Sequence, residues 1–316
     1  MTRLSFAHPA RWTLVLCLLL LPCAQGQAGE SDSRDSSPAP EDLVEPREPG
    51  TLRIITYNIL VAYGNYKIGD PYYPGDERRR RITGWLASQS PDVVALQEMN
   101  GYTPERLAEE AGAWGHEHAV LLKTTGYPTA LTSRWPIEVL DRQTDGLHHG
   151  VMRCRTGGVD YVVVHLWPFE DEERRMHEID AALTLAQDSR DNARPVVILG
   201  DFNAISPDDA PHFSELAHRE YVRWGWDYID DRRTPLTDVM QHVFDAGYTD
   251  PTAEHWPEGM VMDEPRVDFI LVGPQLEDAC VRSRWVFSQE IIKRSDHAPV
   301  VTDLRLPDNT DAGPTP

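Results

Sequence analysis

The segment Arg194-Pro195-Val196-Val197-Ile198-Leu199-Gly200-Asp201-Phe202-Asn203 is the most informative part of the sequence. Its four consecutive apolar residues, 196–199, are typical of a β-strand that is buried on both faces. Gly200 ends this run, and Asp201 and Asn203 follow two residues apart, so that in an extended chain their side chains point the same way. A buried strand that ends in polar side chains is a common way to build an active site in α/β proteins. Gly, Asp and Asn also favour turns, so the stretch alone leaves an active site and a turn open.

The residues before this stretch place its strand in a β-α-β unit. Residues 161–164 form an apolar strand that delivers His165, and a helix follows from about residue 170 to 188 with apolar residues at helical spacing. Because this helix leads directly into the strand at 196, we expect two parallel strands joined by a right-handed crossover.

Other predicted strands also lie next to polar side chains. The strand 52–57 ends at Asn58, and the strand 93–96 is followed by Gln97 and Glu98. The segment 61–75, rich in Tyr, Gly and Pro, is predicted to be a loop. Further strands are predicted at 118–122, 129–140, 151–154, 266–271, 281–287 and 299–304. Helices are predicted to begin at Asp76 as N-cap, at Thr103 followed by Pro104, and near residue 236.

The two ends of the chain are expected to lie outside a single folded domain. Residues 1–27 have the parts of a cleaved secretion signal: Arg3 and Arg11, an apolar run too short to span a bilayer, and small residues. A lipid anchor at Cys23 is less favoured, because Pro22 stands where a lipoprotein signal carries a small residue. We predict a disordered acidic, Pro- and Ser-rich tether at 28–50, the domain at 51–307 and a disordered tail at 308–316. The protein is then secreted or periplasmic, monomeric and without stable membrane insertion.

The net charge of −21 limits the partners. So acidic a chain should be repelled by bulk nucleic acid and by anionic membranes, which basic patches usually bind. A phosphate substrate remains compatible, because bound divalent cations can reverse the local field. Cys154 and Cys280 could pair in an oxidising compartment or remain two separate thiols.

Three smaller features have two readings each, and a fourth has one. The basic run 78–81 could bind phosphate, but a solvated helix face is favoured. His148-His149 is interpreted as a surface pair. The segments Trp224-Gly225-Trp226 and His255-Trp256-Pro257 could line a substrate cleft or pack in the interior.

Polar groups stand at or beside the ends of six strong strands, and their residue types suit phosphoester chemistry: Asn58, Glu98, His165, Asp201 with Asn203, Asp268, and Asp296 with His297. Their spacing excludes a local metal-binding motif, so only tertiary folding can bring them together. Hard oxygen ligands such as Glu98 and Asp296 suit Mg²⁺, and a histidine can transfer a proton near neutral pH.

The sequence resembles the endonuclease/exonuclease/phosphatase superfamily, which has the pancreatic-type deoxyribonuclease fold. Six motifs carry the resemblance, in the family's order and across residues 52–304: Thr56-Tyr57-Asn58-Ile59, Leu96-Gln97-Glu98, Val164-His165-Leu166, Gly200-Asp201-Phe202-Asn203, Arg266-Val267-Asp268 and Ser295-Asp296-His297. Ser133-Arg134-Trp135-Pro136-Ile137 is a weaker match. The resemblance implies an α/β, four-layer sandwich in which two packed mixed sheets are flanked by helices.

The resemblance also implies roles for individual residues. Glu98, Asn58 and Asp296 would bind Mg²⁺, with Mn²⁺ or Ca²⁺ as alternatives. Asp201 and Asn203 would hold the attacking water and a phosphoryl oxygen. His297, oriented by Asp268, would be the general base or a donor that stabilises negative charge, and His165 a general acid. Whether Asp201 or His297 takes the proton of the water stays open.

The predicted function is that of a secreted, divalent-metal-dependent phosphoester hydrolase, a nuclease or another phosphodiesterase, that uses in-line attack by water. Its substrate would be a nucleic acid or a small diester. Alternatives are a phosphomonoesterase, a lipid-headgroup phosphodiesterase, or a non-catalytic binding protein on the same scaffold.

Overall fold

The computed structural model describes residues 44–64, 72–169, 171–226 and 232–307. The predicted signal peptide, residues 28–43 of the predicted tether and the predicted tail therefore lie outside the described residues. Residues 44–50, the described end of the tether, lie against the domain. Val44 is buried and its N–H donates to Gln89 Oε1 at 3.1 Å, and Glu45 O accepts from Arg53 Nη2 at 2.9 Å.

The described strands form two mixed sheets. One sheet contains β1 (Leu52–Asn58), β2 (Val93–Gln97), β3 (His118–Leu121), β4 (Ala130–Ser133), β10 (Cys280–Trp285) and β11 (Val300–Leu304), in the order β10-β11-β1-β2-β4-β3. The other contains β5 (Glu138–Gln143), β6 (Val151–Thr156), β7 (Val159–His165), β8 (Val196–Asp201) and β9 (Asp268–Val272), in numerical order. The pairs β1–β2 and β7–β8 are parallel, and the other neighbours are antiparallel.

The helices flank the sheets. They are α1 (Leu60–Tyr63), α2 (Gly75–Gln89), α3 (Pro104–Ala111), α4 (Glu172–Asp191), α5 (Glu215–Arg223) and α6 (Asp238–Asp245). Thr103 caps α3 as predicted, since its Oγ1 accepts from Arg106 N at 3.2 Å. The predicted N-cap Asp76 is wrong: α2 begins one residue earlier, after Pro74, and Asp76 lies in its first turn. Helix α5 is not among the predicted helices.

Strand alternation divides the core into layers. In β7, β8 and β9, residues such as Val163, Leu199 and Ile270 face the other sheet, whereas their neighbours Val162 and Ile198 face away. The outward residues pack against Ile179 of α4 and Val243 of α6, and the first sheet packs against α2 and α3. The predicted sandwich of two packed mixed sheets flanked by helices is confirmed.

The fold corrects one prediction and decides between two alternatives for another. The predicted strand 129–140 is two strands, β4 and β5, which belong to different sheets. Cys154 and Cys280 are both free thiols, so the unpaired alternative holds. Within the described ranges, no helix has the length and apolar character needed to cross a bilayer.

Candidate active site

Strand register brings the predicted residues to one edge of the sheets. Asn58 ends β1, and Glu98 directly follows β2, the parallel neighbour of β1. His165 ends β7 and pairs in register with Asp201 at the end of β8. Because β9 runs antiparallel to β8, its first residue, Asp268, pairs with Asp201. Residues that are far apart in the sequence therefore meet at one end of the sandwich.

Four of these side chains form a contiguous hydrogen-bonded cluster. His297 Nδ1 lies 2.7 Å from Asp268 Oδ2, and His297 Nε2 lies 3.7 Å from Asp201 Oδ2. Asn58 Nδ2 donates to Asp201 Oδ2 at 3.0 Å and lies 3.4 Å from His297 Nε2. Ser295 Oγ donates to Asn58 O at 2.7 Å, which fastens the loop that carries His297 to the end of β1.

The cluster holds more negative than positive charge. Burial raises the pKa of Asp201 to about 7, although the neighbouring His297 opposes this shift. Burial also raises the pKa of Asp268, against the effect of His297. Burial by itself would lower the pKa of His297, but Asp268 and Asp201 raise it well above the usual value of an imidazole. The two carboxylates therefore favour the protonated form of His297, in which both ring nitrogens donate hydrogen bonds.

The predicted cation ligands lie beside this cluster. Glu98 Oε1 lies 3.5 Å from Asn58 Nδ2, and burial raises the pKa of Glu98 despite the positive charge of His297. Asp296 is exposed and lines the same cavity as Glu98. Asp201, Asp268 and His297 have ligand atoms within 4.8 Å of one another. The buried atom Asp268 Oδ1 has no hydrogen-bond partner among the described residues. Four carboxylates that line one cavity, those of Glu98, Asp201, Asp268 and Asp296, fit a divalent cation.

A left-handed turn supports Glu98. The four residues of α1, Leu60 to Tyr63, have φ angles of 56°, 52°, 47° and 63°. Left-handed helical backbone costs about 1–2 kcal/mol per non-glycine residue, so strong contacts must hold it. Val61 N donates to Glu98 Oε2 at 2.7 Å, and Leu60 N donates to Asn58 Oδ1 at 3.1 Å. The turn thus directs two backbone donors at two predicted ligands.

The end of β8 is shaped by Gly200 and Asn203. A side chain at position 200 would collide with Val164 O, so only glycine fits there. Asn203 has a φ of 44°, and its N–H donates to Asp201 Oδ1 at 2.9 Å. Its Nδ2 donates to Leu166 O at 3.1 Å. Asp201 and Asn203 both line the cavity, as their two-residue spacing predicted.

The histidine pair at 148–149 was interpreted wrongly. His149 is buried, and its ring stacks on His165 with centroids 3.8 Å apart and planes 14° apart. His165 Nε2 lies 3.4 Å from Asp201 Oδ2. Burial, together with His149 and His297, lowers the pKa of His165 well below its usual value. The same contacts therefore favour the neutral form of His165.

A cavity of about 610 Å³ opens above the cluster. One wall is aromatic: Phe169 is 60% exposed, Trp224 is 38% exposed, and Trp226 lies at 84° to Trp224 with ring centroids 5.5 Å apart. The segment Trp224-Gly225-Trp226 fits both readings, because Trp224 is exposed in the cavity whereas Trp226 is buried and packs on Tyr221 with ring centroids 5.4 Å apart. Trp256 instead lines a separate cavity, and its indole N–H donates to Asp209 at 3.3 Å.

The structure adds three features that sequence reasoning missed: the stacked His149, the exposed Phe169 and the buried Arg78. Arg78 was assigned to a solvated basic face, but it is fully buried and donates to the carbonyl oxygens of Leu60 and Gly64. The doublet His148-His149 and the basic run 78–81 draw attention to two of them, but neither pattern indicates a buried position. Their positions depend on packing between segments that are distant in the chain.

Comparisons with known proteins agree with this geometry. The model of the Endonuclease/Exonuclease/phosphatase family matches residues 55–297. Among curated proteins, none matches the chain. Similar solved structures include the 3′-5′ exonuclease NExo from Neisseria meningitidis, with 21% identity, a TM-score of 0.58, and coverage of 80% of this chain and 99% of that one.

Two further solved structures show the same fold. NExo from Neisseria, described as a 3′ phosphatase bound to a product DNA hairpin, has 21% identity and a TM-score of 0.55 over 80% of this chain and 99% of that chain. An AP endonuclease from Archaeoglobus fulgidus has 19% identity and a TM-score of 0.55 over 81% and 100%. At these identities the likeness establishes the fold alone. Together with the family match, which spans most of the sandwich, it shows that the chain belongs to the endonuclease/exonuclease/phosphatase family.

Proposed function

We propose that this protein is a divalent-metal-dependent phosphodiesterase. The observation that carries the proposal is the Asp268–His297–Asp201–Asn58 cluster, which lies at the floor of an open cavity with more carboxylates than cations around it. Glu98, Asn58 and Asp296 would hold the cation, because Asp268 and His297 already hydrogen-bond each other. Mg²⁺ best fits this set of hard oxygen ligands, with Mn²⁺ or Ca²⁺ as alternatives. When bound, it would neutralise charge on the phosphoryl oxygens.

The residues in and beside the cluster would have separate roles in the reaction. Asp201 and Asn203 orient a water for in-line attack on phosphorus, and Asp201 takes its proton. The bond from phosphorus to the leaving oxygen breaks on the opposite side, and that oxygen takes a proton from solvent. We favour Asp201 over His297 as the base, because the two carboxylates beside His297 keep the imidazole protonated. Protonated His297, oriented by Asp268, donates from Nε2 to a non-bridging oxygen as negative charge develops. His165 contributes a neutral N–H donor toward the phosphate.

The cavity wall supports a preference for compact diesters that carry a flat group. The exposed faces of Phe169 and Trp224 can stack on such a group. Glu220 and Glu264 line the same cavity, but Arg223 pairs with Glu220 at 2.7 Å and burial raises the pKa of Glu264 to about 7. The net charge of −21 of the whole chain, rather than these two groups, would repel the further phosphates of a long polyanion. A small diester or a short single strand therefore fits better than duplex DNA.

The amino-terminal sequence supports export to an oxidising compartment after cleavage near residue 27, with a lipid anchor at Cys23 as the alternative. We include secretion or periplasmic location, and a monomeric state, in the proposal. Mass spectrometry of the exported protein checks the first, because a mature chain that still begins at Met1 would contradict cleavage. Light scattering of the purified protein checks the second.

A substrate panel tests the activity. Bis-(p-nitrophenyl) phosphate, p-nitrophenyl phosphate, plasmid DNA and sphingomyelin are each incubated with Mg²⁺ and with EDTA. We expect the first to be hydrolysed fastest and EDTA to abolish hydrolysis. Faster hydrolysis of the monoester would replace the proposal with a phosphomonoesterase, and fastest cleavage of sphingomyelin would replace it with a lipid-headgroup enzyme. No turnover of any substrate would favour a binding protein.

Two variants connect the activity to the cluster. Glu98→Ala and His297→Ala should each lower kcat/KM by about 10²–10⁴-fold while the protein stays folded. Glu277→Ala is the matched control, because Glu277 is exposed and lies outside the cavity lining. Full activity in Glu98→Ala or His297→Ala would show that hydrolysis takes place elsewhere.

A further inference from the structure

The turn α1 connects a buried arginine of α2 to the proposed cation site. Val61 N donates to Glu98 Oε2 at 2.7 Å, and Leu60 N donates to Asn58 Oδ1 at 3.1 Å. These two successive N–H groups determine the direction in which the Glu98 carboxylate and the Asn58 carboxamide face. Any change in the turn therefore moves both groups together.

The turn is held from the other side by Arg78. Its Nη2 donates to Leu60 O at 2.7 Å and to Gly64 O at 3.0 Å. One guanidinium nitrogen thus ties the first residue of the turn to the residue that follows it. The next two residues of α2, Arg79 and Arg80, are exposed, whereas Arg78 is fully buried. Replacing Arg78 would therefore leave two carbonyl oxygens of the turn without this donor.

We propose that Arg78 is a positioning residue that sets the affinity of the site for its divalent cation. It holds α1 in a left-handed conformation that its side chains disfavour, and α1 in turn presents Glu98 and Asn58 to the cation. The inference rests on the proposed function and assigns a part of the site that no sequence motif indicates. Residues that orient metal ligands typically change metal affinity by 10- to 100-fold when they are replaced.

The test measures the Mg²⁺ concentration at half effect in Arg78→Met by two readouts. One is the Mg²⁺-dependent rise in melting temperature without substrate, and the other is hydrolysis of bis-(p-nitrophenyl) phosphate. We expect both midpoints to rise by about tenfold or more, and kcat at saturating Mg²⁺ to stay within about threefold of wild type. Arg80→Met, which removes the same charge from the exposed face of the same helix, should leave both midpoints unchanged.

Several results would overturn the inference. Unchanged midpoints in Arg78→Met, with only a lower melting temperature, would make Arg78 a purely structural residue. A loss of kcat that saturating Mg²⁺ does not restore would show that it acts on another step. A wild-type protein that responds to Mg²⁺ in neither readout would overturn the proposed function as well, which separates that failure from failure of the inference alone.

A second pair of variants tests the route through the turn, and replaces Arg78→Met if that variant does not fold. Arg78→Lys keeps a donor and should shift the midpoints by a smaller factor. Adding Ala62→Gly, at a position with a φ of 47°, removes a Cβ penalty and should move the midpoints of Arg78→Lys back toward wild type. No such return would contradict an action through α1.

Discussion

The stretch Arg266-Val267-Asp268 joins two clusters of buried charge that are hydrogen-bonded in different ways. In the closed cluster, Arg266 is fully buried and donates to both oxygens of Asp209, at 2.9 and 3.0 Å, and to both oxygens of Asp250. The open cluster consists of Asp268, His297, Asp201 and Asn58. In it, Asp268 Oδ2 accepts a hydrogen bond from His297, while no described residue reaches Asp268 Oδ1. The closed cluster has donors at every carboxylate oxygen, whereas the open one keeps an unused acceptor beside the cavity.

This difference indicates that the closed cluster stabilises the fold, whereas the open cluster is available to a ligand. A cluster whose hydrogen bonds are complete has no group left for a ligand, and removing one partner leaves an uncompensated buried charge. A cluster with an incomplete set depends on something that enters from the cavity. We therefore expect changes in the open cluster to affect activity and changes in the closed cluster to affect folding.

The largest effect is expected in the open cluster, from Asp268→Asn. The asparagine can still accept a hydrogen bond from His297, but it removes the negative charge that keeps the imidazole protonated. We expect kcat/KM for bis-(p-nitrophenyl) phosphate to fall by about 10²–10⁴-fold, with little change in melting temperature. Asp278→Asn, on the exposed surface, is the matched control. Near-normal activity in Asp268→Asn would contradict a role of the open cluster in hydrolysis.

Substitutions in the closed cluster should lower the stability of the fold. Arg266→Met leaves Asp209 and Asp250 buried without their cation, and we expect the free energy of unfolding to fall by about 3–5 kcal/mol. Arg305→Met, which breaks an exposed ion pair with Glu48, should cost less than about 1 kcal/mol. Urea denaturation measures both. Equal losses in the two variants would show that the Arg266 cluster is not structural.

A third buried site extends the comparison to pH. His116 is held between Thr132 Oγ1 and Pro91 O, and burial lowers its pKa to about 4. Because its pKa is lower in the folded than in the unfolded chain, its contribution to stability is complete above the unfolded value of about 6.5 and is lost as the pH falls toward 4. We expect His116→Gln to remove about 2 kcal/mol of the stability change between about pH 7.5 and pH 5. Identical pH profiles would contradict this.

The smallest effect is expected at the rim of the open cluster's cavity. Trp224→Ala removes an exposed stacking face but no group that we assign to the chemistry. KM for bis-(p-nitrophenyl) phosphate should rise roughly tenfold while kcat changes little. Val222→Ala, an exposed neighbour outside the cavity lining, should leave KM unchanged. A large fall in kcat in Trp224→Ala would mean that the aromatic wall does more than bind.

Much of the open cluster was predictable from sequence. Asn58, His165 and Asp201 each end an apolar run, so the sequence shows both the strand and the polar side chain at its end. Strand register then brings these strand ends together. The family motifs added the order in which these strands occur. Asp268 and His297 were paired from the resemblance, and their 2.7 Å separation agrees with it.

The supporting residues were not predictable in the same way. Leu60 to Tyr63 are ordinary residues without the glycines that usually mark left-handed backbone, so nothing local indicated the turn. Arg78 is one arginine in a run, and only contacts with a different segment distinguish it from its exposed neighbours. The stacking of His149 on His165 likewise depends on how two segments pack. Sequence patterns describe faces of single elements, whereas these contacts arise between elements.

Hydrolysis of bis-(p-nitrophenyl) phosphate is measured with EDTA-treated protein, before and after Mg²⁺ is added back. We expect no hydrolysis before the addition, recovery of hydrolysis in the wild type, and no recovery in His297→Ala. Full activity in the presence of EDTA, or equal recovery in His297→Ala, would contradict a cation-dependent reaction at the open cluster.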